Sequence, residues 1–269
     1  MKYLFIVTAL LVVTASTFSC SKADNGESTS LNLGADTTIL DNEVLILKSN
    51  IDAAAYEWST GEKTKEITIN KEGEFWLKVT LENNETLADT INVSVAWRMV
   101  SISTAHGDIL LWLHEETPKH KAKFLELVND GYFNDQSFNR VINHFVIQGG
   151  CPDIEGGFND TSLFIEPEFH DHLSHIGGAL GGGRDDNPGK KTNACQFYIV
   201  DYSNNEPKYL DGDYTIFGQV VNGKETVDAI SVAKTNRKDK PIETINIKAK
   251  MVSFTRAELL ELFDFEVPS

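Results

Sequence analysis

The chain is short of three things, and each scarcity excludes something. Lys and Arg number 24 against 40 Asp and Glu, a formal charge of −16. Phosphate backbones are gripped by clustered cations, so nucleic acid is excluded as a partner, and so is adsorption to anionic lipid by charge alone. The acidity reads as a solubilising surface. Cysteine occurs only at positions 20, 151 and 195, without the spacing of a zinc ligand set. The His residues are scattered; "FHDHLSH" (Phe169 to His175) gathers some of them but lacks supporting Cys or a His pair at helical spacing. No metal and no cofactor is expected. Long apolar runs are missing too. The best of them, Tyr3 to Val13, is short for a membrane-spanning helix and suits the hydrophobic part of an export signal.

That run belongs to "MKYLFIVTALLVVTASTFSC", which ends in small and polar residues and Cys20. The pattern resembles the lipobox of bacterial lipoproteins, with Thr17 where the family prefers Leu. The resemblance implies a signal peptide over residues 1–19 and a lipid on Cys20 that attaches the chain to membrane in the bacterial envelope, periplasmic or surface-exposed. Plain secretion and an uncleaved anchor are the alternatives. Residues 20–32 are small, polar and aperiodic, a flexible tether.

From 33 to 97 the pattern is of short strands separated by Asn, Gly, Asp and Glu clusters: "EVLILK", "AYEWST", "KEITINK", "GEFWLKVTL" and "DTINVSV". This spacing indicates a small β-sandwich, with Trp58 and Trp76 as core anchors. The stretch resembles the immunoglobulin-like modules of Bacteroidetes-type surface proteins. Those often carry Cys where Asp41 stands, so this copy has no internal disulfide. No residue in it looks catalytic; it reads as a spacer, or else as a surface that recognises a partner.

A second domain, 98–254, opens with two strands across a Gly107 turn. "TPKHKAKFLELVNDGYF" predicts a helix capped by Thr117, with Pro118 at its first position, Gly131 past its end, and Phe124, Leu127 and Val128 facing inward. A hairpin follows, "SFNRVINHFVIQGG", then a Gly-rich loop from Gly177 to Lys191 and a buried strand, "ACQFYIVD". "YLDGDYTIFGQVV" predicts a hairpin around Asp211-Gly212. A second helix ("GKETVDAISVA") and a closing strand ("TINIKAKMV") complete the domain. Residues 255–269 form an amphipathic tail docked on one of the two domains. The expected class is all-β dominated, with the sandwich followed by a closed antiparallel barrel of about eight strands capped by two helices.

In the hairpin, simple alternation puts Phe138, Arg140 and Ile142 on one face. A guanidinium between two apolar residues needs a reason. The surrounding motifs supply one. "TPKHKAKFLELVNDGYF", "SFNRVI…FVIQGG", "GALGGGR", "QFYIV" and "LDGDYTIFGQVVNG" occur in an order and spacing similar to those of cyclophilin-type peptidyl-prolyl cis-trans isomerases. The resemblance implies that Arg140 is the catalytic cation and that Gln148 binds peptide backbone and holds the Arg. It implies an apolar pocket from Phe145, Val146, Tyr198 and Leu210, a peptide-pairing segment at Gly183 and Arg184, and Gln196 along the groove. Tyr209 and Tyr214 stand where well-known members have Trp and His. Val146 replaces the usual Met, Tyr198 the usual Phe, and Asn139 the usual His.

The implied function is isomerisation of X–Pro bonds during folding of exported proteins, on proline-containing polypeptides, by a monomer. The alternative is a non-catalytic module that binds proline peptides on an envelope lipoprotein. Cys151 and Cys195 each neighbour a groove Gln. They could pair, but the plainer reading is two small, buried, unpaired thiols.

Overall fold

Strict alternation builds the first core. In the computed structural model, which describes residues 30–152, 160–202 and 207–268, strand β5 (Gly73–Thr80) turns Phe75, Leu77 and Val79 inward and their neighbours outward. The same rule buries Ile67 and Ile69 of β4 (Glu66–Ile69) and Leu47 of β2 (Leu45–Lys48). β2 and β4 form a two-stranded sheet. It packs over a larger one made by β5, β3 (Ala55–Trp58), β6 (Thr86–Thr104) and β1 (Thr37–Leu40), which runs parallel to β6. Trp58 is 1% exposed, and its indole N–H donates to Thr64 O at 2.8 Å. Trp76 is not a core anchor: it is 36% exposed, because alternation gives the inner places on β5 to its two neighbours. Cys20 and the expected signal peptide lie outside the described residues.

β6 is nineteen residues long and runs through the expected boundary at 97/98 without a break. It pairs with β5 through its first part and with β7 (Gly107–Leu113) through its last. Twelve strands of the described residues therefore share one sheet. From β7 the order continues through β14 (Ile216–Asn222), β11 (Ala179–Gly182), β13 (Phe197–Val200), β9 (Val146–Gly149), β8 (Ser137–Ile142) and β15 (Ile245–Asn246). β16 (Lys248–Thr255) lies on the other side of β6. The expected closed barrel is met only in part. The ladder order is an open path, and the last strand is split at Ile247, with β15 on β8 and β16 on β6. The chain is mostly β with few helices: α1 (Pro118–Asn129), α2 (Lys224–Ser231) and α3 (Arg256–Phe263) among the described residues.

The second core is separate from the first. Phe124, Leu127 and Val128 of α1 meet Phe133, Phe138 and Phe197 there; edge-on contacts join Phe197 to Phe124, Phe133 and Phe138. Thr117 precedes α1 but does not cap it. Glu168 does so from afar, accepting from the Lys119 and His120 amides at 3.1 and 3.0 Å. A carboxylate suits those free N–H groups and the positive end of the helix.

A third apolar cluster fills the seam. Leu259 of α3 and Val267 pack on Met99, Leu110 and Trp112. Arg256 pairs with Glu72 at 3.1 Å and lies over the ring of Trp97, which packs against the first core as well as the seam. Asp41 is buried at the same seam. It accepts from the Arg98 amide at 3.0 Å and lies 3.7 Å from Lys121.

Candidate active site

The site begins with an irregularity. Phe138 pairs with Gly149, but Arg140 pairs with Gln148, so Asn139 is an extra residue in β8. A bulge of this kind re-aims the side chains beyond it. Phe138 and Val141 enter the core, while Arg140 turns to the opposite face with Ile142. The expected shared face of Phe138, Arg140 and Ile142 is thus broken. The Asn139 side chain fixes the bulge by donating to Cys151 O at 3.2 Å.

Register then lays out the site as a row across four strands. Arg140 stands opposite Gln148, Gln148 opposite Tyr198, and Tyr198 opposite Gly181. Ladder partners share a face. Beneath them, Val146, Ala179, Tyr198, Val200 and Ile216 form an apolar layer on the side of the sheet away from the second core.

Above that layer opens a cavity of about 280 Å³ lined by Arg140, Phe145, Val146, Gln148, Gly183, Arg184, Asp185, Gln196, Tyr198, Leu210 and Tyr214. Ten of these are residues singled out in the sequence, and Asp185 is new. Tyr209 does not join them; it is 73% exposed on the short 3-10 turn Lys208–Leu210. The expected hairpin around Asp211-Gly212 is absent there, since residues before Asp211 form that turn and β14 starts only at Ile216.

The Arg140 side chain is 43% exposed and its Nε lies 3.9 Å from Asp239. No hydrogen bond joins it to Gln148 among the described residues. Arg184 stacks its guanidinium over Tyr214 at 4.4 Å and donates to Asp213 O. Gly183 is already bonded on both sides, its amide to Gln196 O at 2.7 Å and its carbonyl to the Asn193 amide at 3.0 Å.

The Gly-rich stretch is a loop for most of its length, as expected, but its part Ala179–Gly182 is a strand in the middle of the sheet. There β11 holds Gly181 and Gly182 buried. A Cβ on Gly181 would come 2.2 Å from the Tyr198 ring, so glycine makes room for that ring against β11. The Tyr198 hydroxyl meets His175 Nε2 at 2.7 Å, and His175 Nδ1 meets Asp211 Oδ1 at 2.5 Å. Burial pushes the Tyr198 phenol well above its ordinary range. Burial also lowers His175, against the pull of Asp211. Asp211 itself would be raised by burial, yet bonds from Ser174 and His175 hold it below the usual carboxylate value. Sequence reasoning missed His175 and Asp211 as partners, although a buried tyrosine hydroxyl called for one.

The two remaining cysteines are bonded to each other. Register decides it: continuing the β9–β13 ladder two residues beyond Gly149 and Phe197 puts Cys151 opposite Cys195, and their Cα atoms are 4.9 Å apart. The reading as free thiols is therefore corrected. Gly150 permits the approach, with φ +96° and a would-be Cβ 2.1 Å from Cys195 O. Among the described residues, no three His, Cys, Asp or Glu are grouped to hold a metal, and no helix is long and apolar enough to cross a membrane.

Comparison with known proteins follows the same boundary as the second core. A family model described as cyclophilin type peptidyl-prolyl cis-trans isomerase/CLD matches residues 99–252. Peptidyl-prolyl cis-trans isomerase ppi1 of Schizosaccharomyces pombe is 36% identical over 152 residues, which is 55% of this chain and 94% of that protein. Peptidyl-prolyl cis-trans isomerase-like 1 of Homo sapiens is 34% identical over 151 residues, 55% of this chain and 88% of that protein. A cyclophilin type isomerase of Cryptosporidium parvum, crystallised in the presence of the dipeptide Ala-Pro, superposes with a TM-score of 0.52 at 31% identity, covering 58% of this chain and 98% of that one. Fold and relatives together make this protein a peptidyl-prolyl cis-trans isomerase. The chain belongs to the cyclophilin-type family of these enzymes.

Proposed function

We propose that the cavity is the proline site and that Arg140 is the group that lowers the barrier. One observation carries this reading: the row from Arg140 to Gly181, which sets a guanidinium in the lining of a hollow floored by Val146 and Tyr198. Rotation about an X–Pro bond must break amide resonance, at a barrier of about 18–20 kcal/mol. In the rotated state the imide nitrogen becomes pyramidal and its lone pair localises. A cation beside that nitrogen attracts the lone pair only when it appears, so the rotated state gains more than either planar isomer. Arg suits the task because it stays charged in any surroundings. The ring of the substrate proline enters between Phe145, Val146, Tyr198 and Leu210, while Gln148 and Gln196 take its backbone. The Ala-Pro dipeptide named with the Cryptosporidium relative supports a proline-containing ligand here.

The remaining assignments extend the same reading. Residues 1–19 are a signal peptide, and Cys20 carries a lipid that holds the enzyme in the bacterial envelope. Residues 33–97 form an immunoglobulin-like spacer, supported by two facing sheets around Trp58. Residues 98–254 are the catalytic domain, and residues 255–269 are its docked tail. The clients are exported polypeptides and the enzyme works as a monomer. The test is exchange NMR on a short X–Pro peptide with the full chain. Arg140→Ala should slow isomerisation by about two orders of magnitude, roughly 2.7 kcal/mol of barrier, with an unchanged melting curve. An unchanged rate would overturn the assignment.

A further inference from the structure

We propose that His175 is a positioning residue for this site: it ties the floor of the cavity to its wall through the Tyr198 hydroxyl and the Asp211 carboxylate. The inference rests on the cavity being the proline site, and it names the residue that gives the cavity its shape.

The floor is the Tyr198 ring, which lies across β11 because Gly181 has no side chain to lift it. Packing against Val146, Ala179 and Ile216 holds the sides of the ring, and its hydroxyl end needs a tie of its own. Tyr198 is buried, so its O–H needs a partner, and His175 Nε2 supplies one at 2.7 Å. The two rings also stack, with centroids 5.9 Å apart and planes within 12°. His175 is itself wholly buried.

The wall is the turn that carries Leu210 and Tyr214 into the cavity. Asp211 directly follows Leu210 and is held by three bonds. Its Oδ1 takes the His175 amide at 3.0 Å and faces His175 Nδ1 at 2.5 Å, and its Oδ2 takes the Ser174 hydroxyl at 2.6 Å. The carboxylate can only accept, so the imidazole proton sits on Nδ1. Nε2 is then an acceptor, and the Tyr198 O–H must donate to it. Every polar group in the chain Asp211–His175–Tyr198 thus has its partner, and the hydroxyl hydrogen is directed away from the cavity. What faces the ligand is an apolar ring in one orientation, at a fixed distance from Leu210.

Steady-state constants from exchange NMR on an X–Pro peptide, with the full chain, test this. His175→Ala should raise KM by about tenfold while kcat stays within about threefold, because shape is lost and the Arg140 chemistry is not. His175→Gln, whose amide can reach the Tyr198 hydroxyl, should recover KM to within about threefold of the starting enzyme. Tyr198→Phe keeps the ring and removes the tie, and should raise KM about threefold with kcat unchanged. A folded His175→Ala with unchanged KM, or with kcat lowered and KM unmoved, would overturn the proposal. If His175→Ala does not fold, Tyr198→Phe decides alone, and an unchanged KM there sinks it. Arg140→Ala run beside them separates the two claims: if it too keeps full activity, the cavity is not the site; if it alone loses activity, the site stands and His175 has no part in it.

Discussion

The core around Trp58 and the core around Phe124 both lie against the same sheet, yet they use their strands differently. In the first, alternation is clean: β4 and β5 bury every second residue and give the rest to solvent. In the second, β7, β11 and β13 are buried almost throughout. Their inner residues fill the second core, and their outer residues make either the cavity floor or the seam with the tail. A strand with one buried face can only stabilise. A strand covered on both faces has a second row of side chains in a dry place, and there Tyr198 and Val146 come to line a cavity. All seven His residues also lie beyond residue 105, past the strands of the first core, and two of them, His120 and His175, are buried against carboxylates.

The comparison breaks most sharply at Trp58. Trp58→Ala should cost about 3–5 kcal/mol of stability in the first core. Isomerase activity per folded molecule should stay unchanged, read by chemical denaturation and peptide exchange on one sample. A parallel loss of activity at low denaturant would mean that the cores do not act separately.

The disulfide probes the other side. Cys151→Ser together with Cys195→Ser opens a crosslink spanning 44 residues, which should lower stability by about 2–4 kcal/mol. Hydrogen exchange should localise the loss to β9 and β13 and leave the β2–β4 sheet protected. Because Asn139 is held by Cys151 O, Arg140 loses some of its aim as well, and activity should fall by a smaller factor than in Arg140→Ala. Free thiols titrated in the aerobically purified protein would contradict the crosslink.

Acid gives the gentlest separation. Burial lowers His175, His120 and His114 below their ordinary value of 6.5. A base with a depressed folded pKa stabilises in its neutral form. That contribution is complete above about pH 6.5 and is lost as pH falls from there toward the folded values. Asp211 and Glu168 are also lowered, from 3.8 and 4.5, so their contributions persist to lower pH and go last. Between pH 7 and 5 the second core should therefore lose stability while the first, which has no His, holds steady. Hydrogen exchange at the two pH values measures it. Equal loss in both cores would refute the assignment.

Much of this was legible in the residues, for physical reasons that can be named. α1 announced itself by Pro118, its apolar stripe and Gly131, and it ends within a few residues of the expected place. The cavity lining came through because its motifs are local in sequence and the ladders bring them together. Trp76 departs from the expectation because the pleat outweighs aromatic size: the inside of β5 belongs to Phe75 and Leu77. The bulge at Asn139 left no local mark, since the bond that holds it goes to Cys151. Gly181 and Gly182 looked like a loop because what they accommodate, Tyr198 and Thr192, lies elsewhere in the chain. The His175 tie was hidden for the same reason: a buried hydroxyl predicts a partner but does not say which.

One feature of the architecture reaches beyond catalysis. β6 belongs to both cores, so there is no hinge at the point where a linker between two modules would ordinarily sit. Tilting one module against the other would mean shearing hydrogen bonds out of a continuous ladder. A protease seeking an exposed joint would find none at 97/98. The groove is carried at a set angle, like a tool fixed to its handle.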